Sequence, residues 1–426
     1  MRSNRSRIFL LGAALALLCS SALAGSKSDR WYEFLREVYD RHDKKLSEFL
    51  LTQLQLYDRI DPDGQYADDV LYMRAKVHEE EKDTDEELAC YVKLIYLFPE
   101  SEHREPCLDG ARRIVNTAKS YKKRADEILP KIDGAPVLDS REDRRFAYLE
   151  FLYELEEKDL MLWAVHEADE FLLLHPGDKR APRVAQWIGD LYVGLGEDEE
   201  AEASYLKSER LYPDYALVSY ARYQRGKLLV DELDRTEEGL QLLASVVEEF
   251  PDSEQARAAA FARAEAKAEK LKDYNGAVDD FRAFVDTYPE DEHAADALLR
   301  MGEIRADKLD YYLPAVEAYV EVADRYPQDR RGYEALQRAG DLYRRKLKDP
   351  AKAAEMYARA GEAYPDEEDA PKLIFEAGDL VEDALEDYAL AITYYEKVRE
   401  LFPDHKLALE ALKRIDRAQR KQAREG

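Results

Sequence analysis

Seven histidines, three cysteines and 92 acidic residues are the groups in this chain best able to ligate a metal or move a proton. A helical zinc site needs two imidazoles one turn apart, so that both lone pairs meet one ion. None of His42, His78, His103, His166, His175, His293 and His405 has such a companion, and His166-Glu167 lacks the second histidine. Asp61-Pro62-Asp63-Gly64 begins like a calcium loop, but the further acidic ligands and the closing glutamate are out of place, which leaves a simple turn. Gly226-Lys227 lacks the preceding glycine of a phosphate cradle, and no Gly-x-Ser-x-Gly elbow occurs. At this acidity carboxylate pairs fall everywhere and single out no general acid or base. The expectation is no enzyme, no catalytic residue, no cofactor and no metal site.

The remaining chemistry is that of compartment and charge. Arg2, Arg5 and Arg7 precede an apolar stretch, Ile8 to Leu18, and Ala22-Leu23-Ala24 offers a cleavage site before Gly25. Residues 1–24 read as an export signal whose apolar core is too short to span a bilayer, and the chain as a soluble periplasmic protein. Lipid attachment at Cys19 is not expected, because Leu18 stands where a small residue is needed. An oxidising compartment permits a disulfide between Cys90 and Cys107. Helix bookkeeping offsets the pair by several residues, against a Cα limit of ~7 Å, so two buried thiols are the preferred expectation. The formal net charge of −28 argues against nucleic acid and against an anionic bilayer, both of which attract basic surfaces.

The elements that must position these residues are set by a period. Pro62, Pro99, Pro136, Pro176, Pro213, Pro251, Pro289, Pro327, Pro365 and Pro403 recur at steps of 37 to 40 residues, mostly 38. Most follow an aromatic residue. Twelve residues before the later prolines stand Ala164, Ala201, Gly239, Ala277, Ala315, Ala353 and Ala391. Four residues after most of those comes a large residue: Tyr205, Leu243, Phe281, Tyr319, Tyr357 or Tyr395. A second column of tiny residues contains Gly189, Gly226, Ala264, Gly302, Gly340 and Gly378. In one unit, Ala294, Ala297, Leu298, Met301, Gly302 and Ile304 share a helical face, a turn follows at Asp310 to Pro314, and Ala315, Ala318, Tyr319 and Val322 line a second helix. The paired small residues allow the two helices to approach closely, and proline ends the second. Asp252, Ser253, Asp366 and Asp404 are placed to cap the following helix.

This pattern resembles the tetratricopeptide repeat. Trp187 to Tyr192, Gly196, Ala201, Tyr205 and Pro213 fill its aromatic, glycine, alanine and proline slots, and the resemblance is strong from about Arg183 to Pro403. It weakens over Tyr66–Pro99, where Glu87 takes the alanine slot, and is poor over Pro99–Pro136. It implies an all-α solenoid, a right-handed superhelix of about nine or ten helix pairs. The long units are similar to those of envelope proteins of Gram-negative bacteria, namely the repeat lipoprotein of the outer-membrane β-barrel assembly machine and the Tol–Pal-associated coordinator of envelope constriction. After the signal, the expected order is N-terminal helix pairs and a first repeat over 25–100, an irregular repeat or hinge over 101–143, a regular array over 144–403 and a capping helix over 404–426. The opening pair is expected to bury Trp31, Phe34, Leu35, Val38, Leu46, Phe49, Leu50 and Leu54, and the basic end of the last helix to be solvated.

In the repeat that this chain resembles, residues three before and one after the glycine face the concave surface. That places Tyr223, Phe261, Leu299, Gln337 and Phe375 in one row and Lys227, Glu265, Glu303, Asp341 and Asp379 in another. The implied function is a non-enzymatic periplasmic scaffold that holds a protein or peptide, with a basic and apolar segment, against an acidic wall. Two alternatives are a helical platform for a separate peptidoglycan-acting enzyme and a self-assembling oligomer.

Overall fold

The structure, a computed structural model, describes residues 24–41, 44–213 and 217–425. The expected signal and Cys19 lie outside the described residues, apart from Ala24, which begins the first helix. The described residues form an all-α solenoid of paired helices, and no strand is found among them. The chain divides into two compact units, the boundary falling between Leu211 and Tyr212.

The first unit holds α1 (Ala24–Arg41), α2 (Ser47–Ile60), α3 (Ala67–Glu81), α4 (Thr84–Leu97), α5 (Arg104–Thr117), α6 (Ala125–Asp133), α7 (Arg141–Leu155), α8 (Lys158–Leu174), α9 (Ala181–Leu195) and α10 (Asp198–Leu211). The stripe joining α1, α2 and α3 is narrower than the sequence suggested. Leu35, Leu50, Leu54 and Tyr57 are buried with Val70 and Val77, whereas Phe34, Leu46 and Phe49 stay exposed. Phe34 is adjacent to Leu35, and adjacent residues point about 100° apart on a helix. The stretch around Pro106 and Pro136 forms a helix pair whose second member, α6, has only nine residues and carries Pro130 inside it. Across this short pair α4 packs directly on α7 and α8, as well as on α3 and α5.

Helix α4 is therefore buried on all sides from Glu87 to Leu97, and it contains a lysine. A buried ammonium must be paired. Lys93 Nζ donates to Asp58 of α2 at 2.9 Å and to Glu167 of α8 at 2.8 Å. Around it, Arg74 lies 3.2 Å from Glu86, and Arg145 reaches Glu170 at 2.7 Å and Asp63 at 3.2 Å. Burial opposes the charge on Lys93, but Asp58, Glu167 and Glu170 hold its ammonium firmly protonated. Burial pushes the Glu167 carboxyl up to about 7 against the pull of Lys93. The same principle explains Glu87, whose carboxylate in the alanine slot accepts from Arg113 at 2.6 Å.

The second unit holds α11 (Val218–Asp231), α12 (Thr236–Glu249), α13 (Glu254–Ala266), α14 (Tyr274–Thr287), α15 (Ala294–Asp307), α16 (Tyr312–Arg325), α17 (Arg331–Leu342), α18 (Pro350–Ala363), α19 (Ala370–Leu385), α20 (Tyr388–Leu401) and α21 (Lys406–Glu425). Each helix packs on the next, and first helices of successive pairs touch, as in α11 with α13, α15 with α17 and α19 with α21. The residue before each proline closes the second helix: the amides of Phe250, Tyr288, Tyr326, Tyr364 and Phe402 still bond the carbonyl four residues back, and the proline then stops the ladder. Capping differs from expectation. Ser253 accepts from the Ala256 amide, but the other side-chain caps sit on second helices, where Asp273, Asp349 and Asp387 accept from Gly276, Lys352 and Leu390. Helix α16 begins at Tyr312, so Pro314 lies within its first turn, where a missing amide hydrogen costs nothing.

The last helix is not simply a solvated cap. Glu382 of α19 is buried, and its carboxylate accepts from Arg417 at 2.8 Å and Lys421 at 3.0 Å, with the Tyr395 hydroxyl 3.1 Å away. The basic end of α21 thus anchors the helix to the array.

Candidate partner-binding groove

Within a pair, the two tiny-residue columns do different work. A Cβ on Gly189, Gly302, Gly340 or Gly378 would fall 2.3 to 2.6 Å from a ring carbon of Tyr205, Tyr319, Tyr357 or Tyr395. The glycine is the bed of the tyrosine ring. At Gly226 the same place is taken by Leu243, 2.9 Å from the added carbon. Ala201, Ala315, Ala353 and Ala391 have no exposed surface and set how closely the second helix approaches.

The ring placement aims three of the four hydroxyls at the residue after the glycine. Tyr205 donates to Asp190 at 2.5 Å, Tyr357 to Asp341 at 2.5 Å and Tyr395 to Asp379 at 2.7 Å. Burial and the adjacent carboxylate together raise the phenols of Tyr357 and Tyr395 far above the usual range. Tyr319 is pushed up to about 12, by burial first and with Arg338 opposing. Arginines of the next first helix add a second set of partners: Arg338 lies 3.1 Å from Glu303, and Arg414 lies 3.4 Å from Asp379. Asp341 has Arg345 of its own turn at 3.6 Å. Three of the four carboxylates in the expected acidic row are therefore already engaged within the array. The sequence shows the partners only when the column two residues before the glycine slot, Arg300, Arg338, Glu376 and, where Asp416 fills that slot, Arg414, is set beside them.

The apolar row is divided as well. Leu299 and Phe375 are buried in the core, Phe375 with its ring 5.2 Å from that of Tyr395, so neither presents an anchor at the surface. Gln337 is half-buried. Four of the ten expected groove residues do converge: Tyr223 and Lys227 of α11 and Phe261 and Glu265 of α13 line a cavity of about 450 Å³, closed on one side by Asp291 to His293. Phe261 forms an aromatic floor, its ring 5.5 Å from Phe281 and Phe284 and 5.1 Å from His293. At the rim, Asp291 lies 3.6 Å from Arg257 and 3.1 Å from His293, and Lys270 donates to the Asp231 carbonyl at 3.3 Å. Burial raises the Glu265 carboxyl, with Arg300 opposing.

Two further clusters are structural. Asp69, Glu102 and His103 come together, but His103 Nε2 already lies 2.6 Å from Asp69, which also accepts from Tyr32. Cys90 and Cys107 are free buried thiols and form no disulfide. Burial pushes Cys90 up to about 12 and Cys107 higher still, so neither is a ready nucleophile.

Residues 69–101, 182–215, 220–253, 258–291 and 334–367 match the family described as tetratricopeptide repeat. No curated protein matches the sequence. Among solved structures, a tetratricopeptide repeat protein from Parabacteroides merdae is 17% identical, covering 64% of this chain and 99% of its own, with a TM-score of 0.36. YrrB, described as a repeat protein with an unusual peptide-binding site, is 22% identical over 49% of this chain and 97% of its own, with a TM-score of 0.33. Yeast Tom70 is 11% identical over 94% of this chain and 96% of its own, with a TM-score of 0.34.

Proposed function

We propose, for a chain built of tetratricopeptide repeats, a non-enzymatic scaffold of the bacterial cell envelope that holds a protein or peptide partner along its first helices. One observation carries this reading: Tyr223, Lys227, Phe261 and Glu265, from two successive first helices, line one cavity of about 450 Å³. Its aromatic floor can hold an apolar side chain, and its charged rim can select what enters. The formal charge of −28 favours a partner segment that is basic as well as apolar, because a surface of one sign steers the opposite sign toward it. The export signal read at residues 1–24 supports the periplasm as the place of action, with mature protein starting at Gly25. None of the described helices is long and apolar enough to cross a membrane.

A photo-crosslinking amino acid placed at Lys227, on the cavity wall, should trap a partner in the native host. The same probe at Glu248, on the exposed face of α12, should trap nothing above background. Equal adducts from both positions, or adducts from Glu248 alone, would remove the groove from consideration. Intact-mass measurement of the exported protein tests the location, and a lipid adduct on Cys19 would overturn it.

A further inference from the structure

Glu265 stands apart from the other carboxylates of its row, and the reason is a paired exchange of residue types. In its repeat the glycine slot holds Ala264 and the tyrosine slot holds Phe281. A methyl group occupies the place where the tyrosine ring would rest, and the ring that is present has no hydroxyl. The donor that serves Asp190, Asp341 and Asp379 is thereby missing. The neighbouring arginine does not replace it: Arg300 lies 3.6 Å from Glu303 of its own helix, and no hydrogen bond or ion pair joins Glu265 to any described residue. Glu265 instead faces the cavity, half-buried, beside the rings of Phe261 and Tyr223. Six carboxylates and three cationic side chains line that cavity, an acidic excess.

We propose that Glu265 is the seat for one arginine or lysine side chain of the partner, whose aliphatic stem lies on Phe261 and Tyr223. Recognition is then concentrated at a single repeat and not spread along a ladder of acids. An Arg or Lys stem covers apolar surface while its charged head finds a carboxylate, and a charge-assisted bond to a half-buried acceptor is stronger than one in open water. The inference rests on the groove reading above and specifies its partner.

The test uses the full mature protein and a random peptide display library, with three proteins compared: the parent, Glu265→Gln and Ala258→Trp. Ala258 lines the cavity, and tryptophan there fills it. The parent should enrich peptides with a fixed arginine or lysine beside an apolar residue. A selected peptide should bind Glu265→Gln at least tenfold more weakly, and its citrulline counterpart should bind parent and variant equally. Ala258→Trp should abolish binding, with circular dichroism and melting confirming that both variants fold. If Ala258→Trp abolishes binding but Glu265→Gln keeps the same preference for basic peptides, the seat is wrong and the groove stands. Binding that survives Ala258→Trp, or a library with no enriched peptide, overturns both.

Discussion

The Tyr357 hydroxyl donates to Asp341 at 2.5 Å while its ring rests on Gly340, so one side chain fixes both the spacing of α17 and α18 and the direction of a carboxylate. The relationship recurs at Tyr395, Gly378 and Asp379, and at Tyr205, Gly189 and Asp190. It is a steric and a polar device in the same place, and the two parts can be separated by substitution.

The steric part predicts that Gly340→Leu destabilises the second unit. Its Cβ alone would lie 2.5 Å from the Tyr357 ring, and overpacking of this kind costs ~1–3 kcal/mol or more. Glu355→Leu on the exposed face of α18 serves as control. Thermal melting should separate the two clearly, and equal midpoints would show that the ring does not need the glycine.

The polar part predicts that Tyr357→Phe costs ~1.5 kcal/mol, the lower end for a hydrogen bond to a charged group. The converse change, Ala264→Gly with Phe281→Tyr, builds the arrangement into the repeat that carries Glu265. That double variant should melt no lower than the parent yet bind basic peptides more weakly, because the new hydroxyl competes for Glu265. Unchanged peptide affinity in a folded double variant would count against that competition.

A much larger loss is expected in the first unit. Lys93→Met leaves Asp58 and Glu167 buried without their shared cation. Breaking a buried pair by removing one partner costs ~3–5 kcal/mol. Chemical denaturation should show this as a midpoint shift with little change at an exposed lysine such as Lys270; a shift below about 1 kcal/mol would mean that water reaches the network.

Glu167 gives that network a pH dependence. Its folded carboxyl is raised to about 7, above the unfolded value of about 4.3, so its stabilising contribution is complete below the unfolded value and is lost as pH rises through about 7. Glu167→Gln cannot ionise. The variant's melting temperature should therefore gain on the parent's between about pH 5 and about pH 8. A difference that stays constant, or shrinks, would show that Lys93 holds the carboxylate charged throughout.

The free thiols offer a simple count. Exported protein treated with a maleimide under native conditions should gain no adduct, since Cys90 and Cys107 are fully buried. In denaturant without reductant it should gain two, whereas a disulfide would leave it unlabelled.

What was legible in the sequence followed from regular spacing. Pro251 to Pro403 and the small-residue columns carried the helix pairs, their order and the all-α class, because each of these residue types has one steric consequence. Contacts between repeats were harder to read. Leu299 and Phe375 occupy groove slots in the pattern but turn into the core, and Glu303 and Asp379 find arginines one repeat away. The Lys93 network was invisible, since Asp58 and Glu167 lie 35 and 74 residues from the lysine and no period connects them. The short α6, across which α4 packs on α7 and α8, falls in the stretch where the pattern fails.

The all-round burial of α4 bears on how the two units unfold. In a string where each repeat touches only the repeats beside it, fraying starts at an end and moves inward, with graded protection against amide exchange. The second unit is wired in that way. The first is not, because α4 joins α3, α5, α7 and α8, and Arg145 ties α7 to Asp63 across 82 residues. Opening any of these helices exposes the same lysine and the same carboxylates. The first unit should therefore open as one cooperative block, with amides of α3 to α8 exchanging at a common rate, while those of α11 to α21 form a gradient.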